Sequence, residues 1–301
     1  MSDWVEIQVA VTSGTEEAVS NLLCELGSNG VVLVDGEHGT GSSVAGYIPA
    51  GERIHDKVRR IRELWDGLCG LGLADGDCQI AIRHLPASDW ATEWQGRFVP
   101  IQVSDRLIVK PPWATVSGRA DQVVIDILPG MAFGTGEHET TQLCLRALDR
   151  TIRPGDRVLD VGTGSGVLAI AAARLGAGEV TAVDTDDVAV ENARSNIVRN
   201  RMSDRVHVAC GSLDHPSVRG SYRVILSNLD TRTILRLSAA WPSRLDPDGT
   251  LILSGVLSTE GEEVVQSLRA QGLDVIQQAT MGEWWSGAMR KSEELKVKSE
   301  E

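Results

Sequence analysis

The feature that most constrains this chain is an apolar strand that runs directly into a glycine-rich turn. Residues 158–166 read Val-Leu-Asp-Val-Gly-Thr-Gly-Ser-Gly, and a second apolar strand, residues 180–184, ends at Asp184. Glycines let the backbone turn without a Cβ clash and bring a ligand close to the free N–H groups at a helix start. A carboxylate that ends the neighbouring strand can accept both hydroxyls of a ribose. The pattern therefore predicts a site for a nucleotide-like cofactor.

The spacing of the glycines narrows the kind of cofactor. They stand at Gly162, Gly164 and Gly166, and Val167 occupies the place where the dinucleotide fingerprint has its third glycine. A pyrophosphate is therefore disfavoured, and a nicotinamide-dependent oxidoreductase becomes the weaker alternative. For the loop taken alone, a plain strand-to-helix turn is a further alternative, which Asp184 makes less attractive.

Composition excludes several classes of protein. The chain has 301 residues, of which 42% are hydrophobic and 24% charged, as is usual for a globular protein. No apolar run approaches the ~18 residues that span a bilayer, and the first residues do not resemble a signal peptide, so we expect a cytoplasmic protein without membrane contact. A formal net charge of −13 argues against direct nucleic-acid binding and favours a basic protein partner. We expect a monomer.

The residue pattern offers no metal site. Five scattered cysteines, without a C-x-x-C pair, fit reduced thiols better than zinc ligands. His138-Glu139 begins like the zinc-protease motif H-E-x-x-H, but Gln142 stands where the second histidine is required. We therefore predict no bound metal.

The chain divides into four predicted segments. Residues 1–85 follow the order β-α-β-β-α-β, which is typical of a small α+β ferredoxin-like domain. Residues 86–120 are irregular and include Pro111-Pro112, so we interpret them as a connector. Residues 121–289 form the cofactor-binding domain, and residues 290–301 are a charged tail without an apolar stripe, which we expect to be frayed.

The third segment predicts a doubly wound, mostly parallel, seven-stranded Rossmann-like sheet. Continuous Val, Ile and Leu runs that alternate with helical stretches are typical of a parallel sheet covered on both faces. The predicted strands are residues 123–128, 157–161, 180–184, 206–209, 224–227, 250–253 and 274–276. Ligands of such folds bind at the carboxyl ends of the strands, where Gly162, Asp184 and Asn228 all fall.

Two motifs carry a resemblance to a known family. The D-x-G-x-G-x-G form of the glycine loop resembles motif I of the S-adenosylmethionine-dependent methyltransferases. Residues 129–141, Pro-Gly-Met-Ala-Phe-Gly-Thr-Gly-Glu-His-Glu-Thr-Thr, closely resemble the signature of the ribosomal protein L11 methyltransferases. The resemblance extends through the connector and the small domain, which looks like that family's substrate-recognition domain, so it covers nearly the whole chain.

The resemblance implies a cofactor and a set of site residues. The cofactor is S-adenosylmethionine. The residues implied to contact it are Thr141, Gly162, Gly164, Asp184 and Asn228, together with the loop of residues 133–136, which includes Phe133 and Gly134. Asn228 carries both a donor and an acceptor and is the candidate catalytic residue. We expect Thr141 to open the helix that contains residues 143–148, where a hydroxyl and N–H groups can hold the carboxylate of the cofactor. The alternative roles are plain helix capping for Thr141 and turn formation for Asn228.

Three positions differ from the family pattern. Leu128 stands where an Asp or Glu usually precedes Pro-Gly-Met-Ala-Phe-Gly, Asn228-Leu-Asp-Thr replaces an apolar run after the Asn, and the last strand begins Glu283-Trp-Trp instead of being basic. These differences lie near the place where an acceptor nitrogen should arrive. They do not affect the predicted cofactor, but they leave the identity of the methyl acceptor open.

The resulting hypothesis is an enzyme that methylates amino groups, lysine side chains or the N-terminal amine, of ribosomal protein L11. Asp230 and His138 are candidate proton acceptors, each with a structural role as its alternative. The competing hypotheses are a methyltransferase of the same fold that acts on another protein lysine, and a catalytically silent module that binds the cofactor.

Overall fold

The structure, a computed structural model, describes residues 4–12, 14–28, 31–34, 42–50, 53–85, 96, 98–119, 121–129, 134 and 136–293. Contacts divide the chain into two compact units, residues 1–98 and 99–301. The predicted domain boundaries lie after residues 85, 120 and 289. They concern which segments fold independently, and they stay predictions. In the described part of the chain, no helix combines the length and the hydropathy that a transmembrane segment requires.

The first unit has the predicted β-α-β-β-α-β order. Its elements are β1 (Trp4–Ala10), α1 (Glu16–Glu25), β2 (Val31–Val34), β3 (Ser43–Pro49), α2 (Ile54–Gly70) and β4 (Ile80–Leu85). The sheet order is β2-β3-β1-β4 with antiparallel neighbours, which is ferredoxin-like. Alternation along β1 buries Val5, Ile7 and Val9 in the core. The apolar stripe of α2 adds Ile61 and Trp65 to the same core.

The second unit contains a seven-stranded sheet. The strands of this sheet and the helices that accompany them are α3 (Glu139–Thr151), β8 (Arg157–Val161), α4 (Val167–Arg174), β9 (Glu179–Asp184), α5 (Asp187–Arg199), β10 (Val206–Cys210), β11 (Tyr222–Asn228), α6 (Thr231–Leu237), α7 (Trp241–Arg244), β12 (Leu245–Leu257), α8 (Gly261–Ala270), β13 (Leu273–Met281) and β14 (Trp284–Lys291). The strand order is β10-β9-β8-β11-β12-β14-β13. The five strands from β10 to β12 are parallel, whereas β14 is antiparallel to both of its neighbours.

Two hydrophobic cores cover the two faces of this sheet. One core includes Cys144 and Leu148 of α3 with nearly all of α4, and the other includes Ile234 of α6 and the fully buried Trp241 of α7. Strands β8, β9 and β11 are buried on both faces, which explains their continuous apolar runs. The predicted doubly wound, mostly parallel sheet is confirmed.

The membership of that sheet differs from the prediction in two places. Residues 123–128 were expected in it, but β7 (Val123–Asp126) belongs to a separate three-stranded sheet with β5 (Ile101–Gln102) and β6 (Leu107–Lys110). The missing seventh strand is β14, whose mixed composition gave no apolar run. Arg290 therefore lies in a strand, and the predicted frayed tail cannot begin there. Strands β5 and β6 lie within the predicted connector, residues 86–120, so part of that segment has regular secondary structure.

Two buried asparagines, Asn196 of α5 and Asn200 directly after this helix, hold the end of β7 and the residues that follow it. Asn200 pairs with Asp126 through both amide atoms: Oδ1 accepts from Asp126 N at 3.0 Å, and Nδ2 donates to Asp126 O at 2.7 Å. Asn196 Oδ1 accepts from Leu128 N at 3.0 Å, and Asn196 Nδ2 donates to Ser165 O at 3.0 Å. Asn196 thus ties the segment before residue 129 to the glycine turn.

We predict that Asn196→Ala lowers the free energy of unfolding by about 2–4 kcal/mol, because the substitution leaves two main-chain groups without their partner. Urea unfolding of the full chain, combined with hydrogen exchange of peptides from the seven-stranded sheet, measures the loss in the second unit. The exposed neighbour Ser195→Ala is the control and should change the value by less than about 0.5 kcal/mol. Equal stability of the two variants would contradict the bridging role of Asn196.

Candidate cofactor and active site

The site is assembled at the carboxyl edge of three adjacent parallel strands. Val161 of β8 pairs with Val183 of β9 on one side and with Ser227 of β11 on the other. The next residue of each strand lies at the same edge, and these residues are Gly162, Asp184 and Asn228. Hydrogen-bonded register therefore brings together three positions that are 22 to 66 residues apart in the sequence.

The glycine turn requires glycine for two separate reasons. Gly162, Gly164 and Gly166 have φ values of 75°, 55° and 83°, in the left-handed region that side chains disfavour. A Cβ on Gly162 would also lie 2.4 Å from Leu229 Cδ2, and one on Gly166 would lie 3.3 Å from Ala193 Cα of α5. The missing side chains therefore make room for the protein's own packing, in addition to any approach of a ligand.

Asp184 is connected directly to this turn. Its Oδ2 accepts a hydrogen bond from Gly164 N at 2.9 Å, and its Oδ1 accepts one from Asp186 N at 3.1 Å. The side chain is half-buried at the end of β9. A carboxylate has about four lone-pair positions, so two main-chain donors leave capacity for ligand hydroxyls.

Asp160 is a polar residue of the site that the sequence prediction did not select. It lies in β8 and is fully buried, and Thr163 Oγ1 donates to its Oδ2 at 2.7 Å. Its Oδ1 has no hydrogen-bond partner among the described residues. Burial raises the pKa of Asp160 to about 7, against the hydrogen bond from Thr163. The signal in the sequence was a carboxylate inside an apolar strand, immediately before the turn.

Asn228 lies against the first turn of α3. Its Nδ2 donates to Thr140 Oγ1 at 3.2 Å and more weakly to Thr141 Oγ1 at 3.4 Å. The other amide atom, Oδ1, is buried and has no partner in the described part of the chain. An unpartnered buried carbonyl is costly unless a ligand group completes it. Thr141 and Asn228 are thus in contact, whereas the glycines and Asp184 form the neighbouring half of the site.

Thr141 is not the residue that opens α3. The helix begins at Glu139, and the capping residue is His138, whose Nδ1 accepts from Thr140 N at 3.3 Å. The prediction that Thr141 stands at the helix start was wrong by two residues, because a capping histidine gives a weaker sequence signal than a threonine. Thr141 is nearly fully buried within the first turn, where its hydroxyl contacts Asn228.

The loop before α3 is described only at some positions. Gly134 has a φ of 103°, and its carbonyl accepts a hydrogen bond from Ser165 Oγ at 2.6 Å. A Cβ on Gly136 would lie 2.9 Å from Val109 Cγ1 of β6. Phe133, which was also predicted to contact the cofactor, lies outside the described residues. Gly134 therefore lies against the glycine turn, and Gly136 lies against β6.

Asp230, one candidate proton acceptor, caps α6. Its Oδ1 accepts from Thr233 N at 2.9 Å. Partial burial tends to raise the pKa of Asp230, but hydrogen bonds from Thr233 and from the backbone prevail and lower it. A carboxylate with a lowered pKa is a weaker base, so its structural role is the better supported one.

Comparisons with known proteins find relatives that match most of this chain. The sequence profile of a family described as Ribosomal protein L11 methyltransferase (PrmA) matches residues 3–292. A protein of Brevibacillus brevis named "Ribosomal protein L11 methyltransferase" is 35% identical over 93% of this chain and 97% of its own length. A protein of the same name from Thermoanaerobacter pseudethanolicus is 32% identical over 96% and 99%. A crystal structure of a ribosomal protein L11 methylase from Lactobacillus delbrueckii subsp. bulgaricus aligns with a TM-score of 0.60 at 32% identity, covering 64% of this chain and 99% of that one.

We predict that Gly162→Ala weakens binding of S-adenosylhomocysteine at least about 10-fold, because the new methyl group forces Leu229 and the turn apart. Isothermal titration calorimetry measures the affinity. Gly155→Ala is a matched control, since Gly155 also has a left-handed φ, of 86°, but open space around its Cβ position. If both variants lose affinity equally, or if Leu229→Ala does not relieve the effect of Gly162→Ala, contact with Leu229 is not the cause.

We predict that Asp160→Asn stabilises the ligand-free protein increasingly as the pH rises. The pKa of Asp160 is raised from 3.8 to about 7, so between these values the folded state holds a proton that the unfolded state has released. Stability from this group therefore falls as pH rises through that window, by at most about 4 kcal/mol. Urea unfolding at pH 4.5 and pH 7.5 measures the change, with the exposed Asp204→Asn as control. A pH-independent difference between Asp160→Asn and the wild type would contradict the burial of an ionisable Asp160.

Proposed function

The chain belongs to the ribosomal protein L11 methyltransferase family, and we propose that it transfers methyl groups from S-adenosylmethionine to amino groups of ribosomal protein L11. The observation that carries the proposal is Asn228 Oδ1, a buried acceptor without a hydrogen-bond partner among the described residues, at the edge where the glycine turn and Asp184 lie. An amine with a free N–H is the group that would complete it.

The residues present fit the cofactor. Asp184 has lone pairs left for the two ribose hydroxyls, and Asp160 Oδ1 is a buried acceptor with no partner in the described chain, suited to a cationic or N–H group. The first turn of α3, which includes Thr141, offers the positive end of a helix dipole to a carboxylate. When bound, S-adenosylmethionine supplies an electrophilic methyl group on a sulfonium sulfur.

The role of the protein toward the amine is deprotonation by environment and orientation. A lysine with an ordinary pKa near 10.4 is almost entirely protonated at neutral pH, so its lone pair must first be released. Entry into the partly buried site disfavours the charged ammonium form, so the ammonium releases a proton to water, and a hydrogen bond from one remaining N–H of the amine to Asn228 Oδ1 directs the lone pair. Asn228 is then the catalytic residue, and most of the acceleration comes from positioning.

The charges near Asn228 favour a basic acceptor. Asp230 follows Asn228 by two residues, and the negative charges of Glu139 and Glu283 both act on His138, two residues before Thr140. Together with the net charge of −13, these carboxylates attract a lysine-rich protein and repel nucleic acid. We infer that the ferredoxin-like unit recognises the substrate protein, that the enzyme acts as a monomer and that it acts in the cytoplasm.

The positions that differ from the family pattern have local structural roles compatible with this function. Leu128 is held through its main-chain N–H by Asn196, Leu229 fills the space beside Gly162, and Asp230 caps α6. None of these contacts occupies a side-chain atom of Thr141, Asp184 or Asn228.

Incubation with methyl-labelled S-adenosylmethionine and ribosomal protein L11, followed by mass spectrometry of the acceptor, tests the function. We expect label on lysine side chains or on the N-terminal amine. Label on another ribosomal protein alone would indicate a different protein-lysine substrate. Absence of label from every acceptor, with S-adenosylhomocysteine still bound, would indicate a silent cofactor-binding module.

We predict that Asn228→Ala lowers kcat about 100-fold or more, because the amine loses its orienting acceptor. Affinity for S-adenosylhomocysteine, measured in parallel by calorimetry, separates loss of turnover from loss of cofactor. Asp230→Asn is the control, since an asparagine keeps a helix cap while removing the charge, and it should retain turnover within about threefold. Unchanged turnover in Asn228→Ala would remove Asn228 from the mechanism.

A further inference from the structure

A chain of hydrogen bonds runs from His138 through Thr140 to Asn228. His138 Nδ1 lies 2.8 Å from Thr140 Oγ1 and also accepts from Thr140 N at 3.3 Å. Thr140 Oγ1 in turn lies 3.2 Å from Asn228 Nδ2. These hydrogen bonds thus connect the helix-capping histidine to the Asn228 amide, which in the proposed function binds the substrate amine.

The directions of these bonds follow from proton counting. Because the main-chain N–H of Thr140 points at His138 Nδ1, that nitrogen carries no proton and the neutral ring is protonated at Nε2. The only proton available between Nδ1 and Thr140 Oγ1 is therefore the one on the hydroxyl. Thr140 Oγ1 donates to His138 and is left with lone pairs toward Asn228.

This leaves one consistent orientation for the Asn228 amide. The group that faces Thr140 must be a donor, so it is the Nδ2 side of the amide. The second N–H of Nδ2 faces Thr141 Oγ1, and the Nδ2–Oγ1 distance is 3.4 Å. Oδ1 must then point away from both threonines, to a buried position where it meets no hydrogen-bond donor of the described chain. In the opposite orientation the amide oxygen would face a hydroxyl whose proton is already engaged.

The surroundings of His138 hold the ring in this state. The ring packs edge-on against Trp284 with centroids 5.0 Å apart and an interplanar angle of 63°. Burial lowers the pKa of His138 and prevails over the opposing effect of Glu139 on the same helix and Glu283 beside Trp284. The imidazole is therefore neutral near pH 7 and keeps an unprotonated Nδ1 for Thr140.

We propose that His138 and Thr140 are positioning residues for methyl transfer: the Nδ1 acceptor of His138 orients the Thr140 hydroxyl, which orients the Asn228 amide so that Oδ1 faces the incoming amine. The inference rests on the proposed function for its consequence, but the hydrogen-bond chain itself exists without substrate. Donation through both N–H groups also increases the negative charge on Oδ1, which strengthens it as an acceptor.

Two pairs of variants separate the chain of bonds from general stability. Thr140→Val removes the hydroxyl at nearly constant shape, and Thr140→Ser keeps it. His138→Ala removes the acceptor, whereas His138→Asn places an amide oxygen near the position of Nδ1 and preserves helix capping. We expect kcat to fall about 10-fold or more in Thr140→Val and His138→Ala, with affinity for S-adenosylhomocysteine and KM for the acceptor within about threefold of wild type. Thr140→Ser and His138→Asn should restore kcat.

Nitrogen NMR gives a readout that does not require activity. In the wild type, the His138 ring should show an unprotonated Nδ1 and a protonated Nε2, and the Asn228 side-chain amide signals should move in Thr140→Val and His138→Ala but not in His138→Asn. A protonated Nδ1, or Asn228 signals indifferent to Thr140→Val, would overturn the chain of bonds. Full kcat in Thr140→Val of an active enzyme would overturn its role in positioning. A wild type without methyl transfer would instead overturn the proposed function, while the NMR result still decides the chain.

Discussion

The site depends above all on the hydrogen-bonded register of three parallel strands. Because β9, β8 and β11 are aligned so that Val183, Val161 and Ser227 are neighbours, the residues that follow them meet at one edge of the sheet. A slip of register by one residue would turn the side chains of a strand to the opposite face. The burial of both faces prevents such a slip, so the same apolar side chains that stabilise the sheet also position Gly162, Asp184 and Asn228.

Sequence reasoning predicted the parts of the fold and the site that depend on local patterns. The ferredoxin-like order, the buried parallel strands and the turn from Gly162 to Gly166 all follow from periodicity and glycine placement. It failed where tertiary pairing decides: β7 has the apolar run of a core strand but pairs with β6, and β14 lacks such a run yet completes the sheet. The start of α3 was misplaced because His138 caps it. Asp160 and Asn228 each have one oxygen without a partner in the part of the chain that the structure describes, and this is visible only when the surrounding donors are known.

Those two oxygens show how the fold balances stability against function. A buried carboxylate and a buried amide carbonyl, each with an oxygen that no donor in the described ranges satisfies, destabilise the ligand-free protein. The apolar cores on both faces of the sheet supply the stability that makes these groups tolerable. A ligand that completes both groups contributes binding energy and also removes a defect of the empty fold, so ligand binding and thermal stability should be strongly linked.

Asn196 of α5 and Asn200 directly after it allow members of the family to diverge at the segment that these two residues hold. Asn196 and Asn200 hold residues 126–128 entirely through main-chain atoms. Hydrogen bonds to the peptide backbone do not depend on which side chains the segment carries. The residue at position 128 can therefore change from an acid to leucine without displacing the segment, which makes this stretch a place where evolution can alter the chemistry beside the pocket while its geometry is inherited unchanged.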